Sequence, residues 1–126
     1  MPLYTISTKR PLLDTDQQAL VYAITEAHCS ITGAPAQFVQ VVFSRGVRLR
    51  ARNIVHILGS IRSGRSDKIK SELASAFVNS ASQILCCPRS RCSVDLVDVP
   101  ASWVIEGGAV MPEPGQEQEW LARQPD

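Results

Sequence analysis

Polar and apolar residues alternate from Leu3 to Thr8, placing Leu3 and Thr5 on one face and Tyr4 and Ile6 on the other, which predicts a β-strand. Pro11 and Asp14 end it. The spacing from Thr15 to Gln18 fits a capping box, so a helix is expected from Thr15, with Asp16 placed favourably near its first amides. Its apolar stripe is Leu20, Ile24, Ala27 and Ile31, and Gly33 followed by Pro35 supplies the stop. Phe38 to Phe43 then reads as a second strand, and its valines suggest burial on both faces.

The same order recurs in the second half. Ile54 to Leu58 is a short strand, ended by Gly59 and the turn region from Ser60 to Gly64. Ser66 is placed to cap a helix carrying Ile69, Leu73, Phe77, Ala81 and Ile84 on one face, with Asp67 at its positive end. Pro88 lies beyond that helix, and Cys92 to Val97 returns as a strand. Crossovers of this length make the two strands of each unit parallel and put the helix on one side. The fold class expected is therefore α/β: two consecutive β-α-β units forming a four-stranded sheet with two helices on one face.

The opposite sheet face would remain uncovered, because the segment from Pro100 onward is too short and too polar to supply another helical layer. Burial against other subunits is the economical solution. Within that segment Pro100 to Glu106 suits a short helix with Trp103 and Val104 as apolar contacts, broken by Gly107 and Gly108. A tail from about residue 108 carries prolines at 112 and 114 and ends in the aromatic Trp120, suited to clamping a neighbouring subunit. A loosely ordered tail is the plainer alternative.

At 126 residues the chain suits one domain spanning 1–126, and its net charge of +1 neither repels nor strongly attracts acidic partners. No apolar run approaches the roughly 20 residues that cross a membrane, and no secretion-signal pattern opens the chain, so a cytoplasmic location without membrane partners is expected. Cys29, Cys86, Cys87 and Cys92 lack the paired spacing of a zinc or dithiol site and read as structural thiols, with no metal expected. Arg45, Arg48, Arg50 and Arg52 lack interleaved aromatics or a recognition motif, which argues against nucleic acid as a partner.

Chemistry centres on Pro2. If Met1 is trimmed, Pro2 presents a secondary amine at the tip of an inner strand, with a pKa starting near the α-amino reference of roughly 7.7 to 8. Inside the chain the same nitrogen has neither a proton nor a lone pair to offer. Arg62 and Arg65 flank Gly64 just ahead of the second helix, and paired guanidinium groups match a planar carboxylate, so a small carboxylic acid is a plausible ligand. Their alternative is surface ion pairing with acids such as Glu72. His28, by its phase on the first helix, faces the sheet or a pocket rim, which suits a satisfied core histidine or, with other groups converging on it, a residue that binds a carboxylate or activates water. Glu106, ahead of two glycines, is a candidate general base on a pocket wall, with an isolated surface glutamate as the plainer alternative from spacing alone. His56 falls within a strand without partners at metal spacing and reads as structural.

These residues together resemble the tautomerase superfamily, and within it the cis-3-chloroacrylic acid dehalogenase-like group. The correspondence runs through Pro2, Ile24-Thr25-Glu26-Ala27-His28 with Thr32-Gly33, and Arg62-Ser63-Gly64-Arg65-Ser66. It continues through Val99-Pro100, Glu106 and Pro112-Glu113-Pro114-Gly115 with Glu119-Trp120, covering nearly the whole chain. The resemblance implies a homotrimer without cofactors, in which Pro2 transfers a proton. Arg62, Arg65 and His28 would bind the carboxylate of a small acid, and Glu106 would activate water.

Two positions depart from that pattern. Asp95 stands where the group carries a tyrosine, Gly107 stands where an aromatic follows the glutamate, and the connection from Phe43 to Ile54 is short. A phenol donor exchanged for a carboxylate or open space adds repulsion towards an acidic substrate. The resemblance with these departures implies tautomerase or hydratase activity on small unsaturated or keto acids. Its alternatives are a cis-3-haloacrylate dehalogenase and a catalytically degenerate structural or regulatory trimer.

Overall fold

The computed structural model describes residues 1–123. β1 (Leu3–Thr8) is flanked by β2 (Gln40–Ser44), which runs parallel to it, and β3 (Val55–Arg62), which runs antiparallel; β4 (Cys92–Val99) is parallel to β3. The sheet order is thus β2-β1-β3-β4, and each β-α-β unit has the parallel pairing that its crossover dictates. α1 (Asp14–Thr32) and α2 (Asp67–Leu85) pack against each other and against one sheet face. The core between them includes Tyr4, Ile6, Leu20, Ile24, Leu73 and Phe77, all fully buried. This is the doubled unit expected from the sequence.

Local chemistry sets the element ends. Ser66 Oγ accepts a hydrogen bond from the Ile69 amide at 3.2 Å and caps α2, while Gly33 ends α1 in the left-handed region at φ 77°. The capping box at Thr15 does not form. α1 begins one residue earlier, at Asp14, its N-cap Leu13 offers no side-chain bond, and Asp14 and Asp16 meet the positive end of the helix instead.

β2 corrects the expectation of a strand buried on both faces. It is an edge strand, and the register Thr5 to Val42 puts Val42 on the helix-free side of the sheet, where it is exposed. β3 also differs, continuing through Gly59 to Arg62 rather than stopping at Leu58. Gly59 is a packing glycine: a Cβ there would lie 2.6 Å from Cε1 of Tyr4 and 2.7 Å from Cδ2 of Leu96. The strand needs that gap because the Tyr4 ring crosses it.

The segment after β4 corrects a further expectation. Only Ala101–Trp103 forms a single 3-10 turn; Trp103 is 77% exposed, and the chain then makes a hairpin of β5 (Ile105–Glu106) and β6 (Ala109–Val110). Gly107 and Gly108 turn the hairpin at φ 58° and 80°, a conformation that favours glycine. The tail then folds back over its own chain. Trp120 meets the edge of Phe38 with ring centroids 5.9 Å apart and donates from Nε1 to the Val110 carbonyl at 3.0 Å, placing the short helix α3 (Glu117–Ala122) beside the end of β3.

The helix-free sheet face carries exposed Val42, Leu58 and Val97. All four cysteines are free thiols, with the sulfurs of Cys87 and Cys92 3.6 Å apart. No helix among the described residues is long and apolar enough to cross a membrane.

Candidate active site

The antiparallel register of β1 and β3 pairs Leu3 with Ser60, so the start of β1 and the end of β3 lie at the same end of the sheet. Pro2 and Arg62 are therefore brought together by pairing across 60 residues of sequence. Pro2 is buried, and its carbonyl accepts from the Gln40 amide at 3.0 Å, anchoring the strand tip between two neighbours. Met1 precedes it, also buried, and its amine is ion-paired with the carboxylate of Glu106. The β5–β6 hairpin thus carries Glu106 to the amino terminus.

His28 lies on the buried stripe of α1 with Leu20 and Ile24, over the start of β1. Its Nδ1 is 2.7 Å from the hydroxyl of Tyr4, whereas its buried Nε2 has no hydrogen-bond partner among the described residues. An unpaired polar atom at that depth is costly and is the kind of group a ligand satisfies. Burial lowers the His28 pKa to about 4, and the positive charges of Arg65, Arg62 and the amino terminus push in the same direction. His28 is consequently a neutral imidazole at physiological pH. Burial likewise raises the Tyr4 pKa, keeping its phenol protonated and able to bond to that ring.

Arg62 ends β3 with only 3% of its surface exposed. Its Nη1 donates to the Pro112 carbonyl, its Nη2 donates to Oε1 of Glu117 at 2.5 Å, and its guanidinium carbon lies 5.7 Å from the Phe38 ring centre. Arg65, three residues on in the turn, is held more loosely. It lies 3.4 Å from the same Glu117 oxygen and 3.4 Å from the Thr32 carbonyl at the end of α1. Burial lowers its pKa while Glu117 opposes that shift.

Glu117 is itself buried, and its Oε2 accepts from the Gly115 amide at 2.9 Å. Burial would raise its pKa, but its own backbone amide, the bond and charge of Arg62 and the charge of Arg65 outweigh that and hold it below the usual carboxylate value. The surface pairing of the arginines with Glu72 does not occur; Glu72 faces Lys68 at 4.0 Å.

The structure therefore gathers Pro2, His28, Arg62, Arg65 and Glu106 around the amino terminus. Asp95 is not brought there within the chain. It faces the helix-free side of the sheet, largely exposed, with Oδ2 2.8 Å from Nε2 of His56. Gly107 lies in the hairpin turn beside Glu106, where a Cβ would meet nothing within 4 Å. Two residues of the cluster were missed from the sequence, Tyr4 and Glu117. A tyrosine on the inward face of a strand needs a buried hydrogen-bond partner, which was a usable signal. Nothing in local spacing separates Glu117 from Glu113 or Glu119.

Solved structures with this architecture extend over most of the chain. One is N1, a member of the cis-3-chloroacrylic acid dehalogenase family, 31% identical with a TM-score of 0.87, covering 98% of this chain and 93% of that one. Native Ps01740 is 32% identical with a TM-score of 0.74, covering 83% and 100%. A fused 4-OT asymmetric trimer, at 20% identity and a TM-score of 0.78 over 86% and 95%, shares the fold. No protein-family model and no curated protein matches the chain.

The fold is that of the tautomerase superfamily. Within it, this chain belongs to the cis-3-chloroacrylic acid dehalogenase family.

Proposed function

We propose that the protein is a tautomerase or hydratase-type enzyme acting on small unsaturated or keto carboxylic acids, with Pro2 as its proton-transfer residue once Met1 is removed. The observation that carries this reading is the unpaired, buried Nε2 of a neutral His28 beside two guanidinium groups at the amino terminus. A substrate carboxylate supplies what that arrangement lacks: an acceptor for the imidazole N–H and a charge for the arginines. Arg62 and Arg65 provide the positive field that draws and binds it.

Removal of Met1 changes two things at once. It converts the amide nitrogen of Pro2 into an amine, and it releases Glu106 from the Met1 ammonium. In a hydration, Glu106 takes a proton from water while the water oxygen bonds to the substrate β-carbon. The displaced π-electrons collect towards the carboxylate held by the arginines, and the Pro2 ammonium returns a proton to the α-carbon. In a tautomerisation, neutral Pro2 removes a proton beside a carbonyl and delivers it elsewhere on the dienol. Glu106 is then not required as a water base.

A homotrimer belongs to the same proposal, because the apolar residues of the helix-free sheet face sit where a second copy of the sheet would bury them. A second reading is a catalytically degenerate structural or regulatory trimer. It is favoured by Asp95, a carboxylate paired with His56 where the family resemblance expects a phenol.

The test uses protein shown by intact mass to lack Met1, assayed with an enol-keto acid, an acetylenic acid and a 3-haloacrylate. Turnover of at least one substrate, lost in Pro2→Ala, is the expected result, and which acid reacts separates isomerase, hydratase and dehalogenase. Rates unchanged by Pro2→Ala would sink the proposal, and inertness towards all three would favour the degenerate trimer.

A further inference from the structure

The net charge of +1 conceals a division along the sheet. β1 and β2 run towards the end opposite the amino terminus, and β3 and β4 start there, so the loops of that end come together. Backbone bonds tie three of them: the Lys9 amide donates to the Ile54 carbonyl and the Ile54 amide to the Arg91 carbonyl, each at 2.9 Å. Lys9 and Arg10 follow β1, and Arg45 follows β2. Arg48, Arg50 and Arg52 lead into β3, and Arg89 and Arg91 into β4. The acids of this end are Asp14 and Asp16 at the start of α1 and, at its margin, Asp95. Eight cations against three acids leave +5 here, and the remaining five cations against nine acids leave −4 on the rest of the chain. None of the eight is ion-paired among the described residues.

We propose that this end of the sheet is a docking face for the surface of an anionic phospholipid bilayer, with a headgroup phosphate seated between Arg10 and Arg91. These two arginines and Lys9 line a cleft of about 430 Å³ whose apolar wall is Leu12, Ile54 and Leu85; Asp16 also lines it. Guanidinium groups match a phosphate in bidentate geometry, and the apolar wall suits the carbon chain attached to it. Leu13, next to the cleft, is 71% exposed, and Val47, on the loop after β2, is 51% exposed. Protruding apolar side chains ringed by cations are what a lipid surface rewards: the cations are drawn to its negative potential, and the apolar groups enter the headgroup layer.

Nucleic acid suits this face less well. Single strands are held by stacking bases on exposed aromatics, and the exposed aromatics Tyr22 and Trp103 lie outside these loops. A peripheral contact also needs no spanning segment, so the expected lack of membrane partners, which rested on the absence of one, does not bear on it. The division of charge orients the molecule, because the negative remainder is repelled by the surface that draws the basic end. Pro2, Arg62 and Arg65, at the other end of the sheet, then face away from the bilayer.

Full-length protein is sedimented with vesicles of phosphatidylcholine alone and with vesicles containing about one-third phosphatidylglycerol, at about 0.1 M and about 0.5 M salt. Binding to the anionic vesicles is expected to exceed binding to the neutral ones at least tenfold at low salt, and to fall at least tenfold at high salt. Arg10→Glu/Arg91→Glu should weaken it at least tenfold, whereas Lys68→Glu/Arg123→Glu, the same charge change at the other end, should move it less than threefold. Leu13→Asn, which keeps the charge, should weaken it at least threefold. All five positions are exposed, so the substitutions disturb no core contact. Absence of vesicle binding by the wild type, or equal binding to both kinds of vesicle, would overturn the proposal. So would equal effects of the two double reversals, or Leu13→Asn binding like wild type. Tighter binding to single-stranded DNA than to anionic vesicles at equal phosphate concentration would make nucleic acid the partner and overturn it as well.

Discussion

The hydroxyl of Tyr4 lies 2.7 Å from Nδ1 of His28, so the first strand fixes the ring that the first helix carries towards the amino terminus. The bond is fully buried, and the Tyr4 ring is held by an edge contact to Phe77 at 4.9 Å. Tyr4→Phe keeps the ring and leaves Nδ1 without its partner. It should destabilise the fold by about 1–3 kcal/mol, the usual cost of an orphaned buried polar group. Chemical denaturation checks this, and a midpoint equal to wild type would show that the bond contributes nothing.

His28 also makes the fold sensitive to acid. Its pKa is lowered from 6.5 to about 4, so below pH 6.5 the unfolded chain takes up a proton that the folded chain refuses. The stabilising contribution is complete above 6.5 and disappears as pH falls to about 4; its ceiling is on the order of 3 kcal/mol. Glu117, whose carboxyl is also shifted down, adds acid sensitivity at lower pH, as its pairing with Arg62 is protonated away. Melting curves of wild type and His28→Gln across pH 7 to 4 should therefore converge as the pH falls. Parallel curves would contradict the assigned shift.

Gly59 has no room for a side chain. A methyl group there would strike the Tyr4 ring and the Leu96 side chain, both packed in the core. Gly59→Ala is expected to cost about 1–3 kcal/mol through overpacking. Because the displaced ring holds His28, acid binding should weaken with stability, and a soluble variant with an unchanged melting temperature would refute the contact.

Met1 should act as a block. With its amine on Glu106, the untrimmed protein presents neither a proline amine nor a free carboxylate base. Protein retaining Met1 is expected to be slower than trimmed protein by roughly a hundredfold or more, the range that positioned acid-base groups contribute. Assaying fractions sorted by intact mass tests this, and equal rates would remove Pro2 from the mechanism.

Assembly has its own test. If Val42, Leu58 and Val97 are buried between copies, the protein should run in solution at three times its 13.8 kDa chain mass. Leu58→Asp should shift it towards the single chain, by placing a charge in an apolar contact. A wild type that stays monomeric would exclude the shared sheet.

The periodicities of Leu3–Thr8, of the Leu20 and Ile24 stripe and of the Leu73 and Phe77 stripe were enough to place the doubled β-α-β unit, because each element buries one face and repeats at its own period. Pro2, His28, Arg62, Arg65 and Glu106 were legible as a set through the family pattern they share. Less legible were the places where distant packing overrides local signals. Gly59 reads as a strand end in isolation and is a strand interior here, since the Tyr4 ring occupies the space its side chain would fill. The valines of β2 suggest double burial, yet the sheet order leaves that strand at an edge.

By itself, then, the sequence determined the two helices and four strands of the doubled unit, their pairing within each half and the inventory of acids, bases and guanidinium groups, because those follow from local periodicity and residue chemistry. The tertiary structure alone decided what each group faces. Antiparallel pairing of β1 with β3 brings Arg62 to the amino terminus, and the returning tail sets Glu117 on it. That contact spans 55 residues, and no local pattern encodes it, because its strength comes from burial that exists only once the tail has folded over the end of β3.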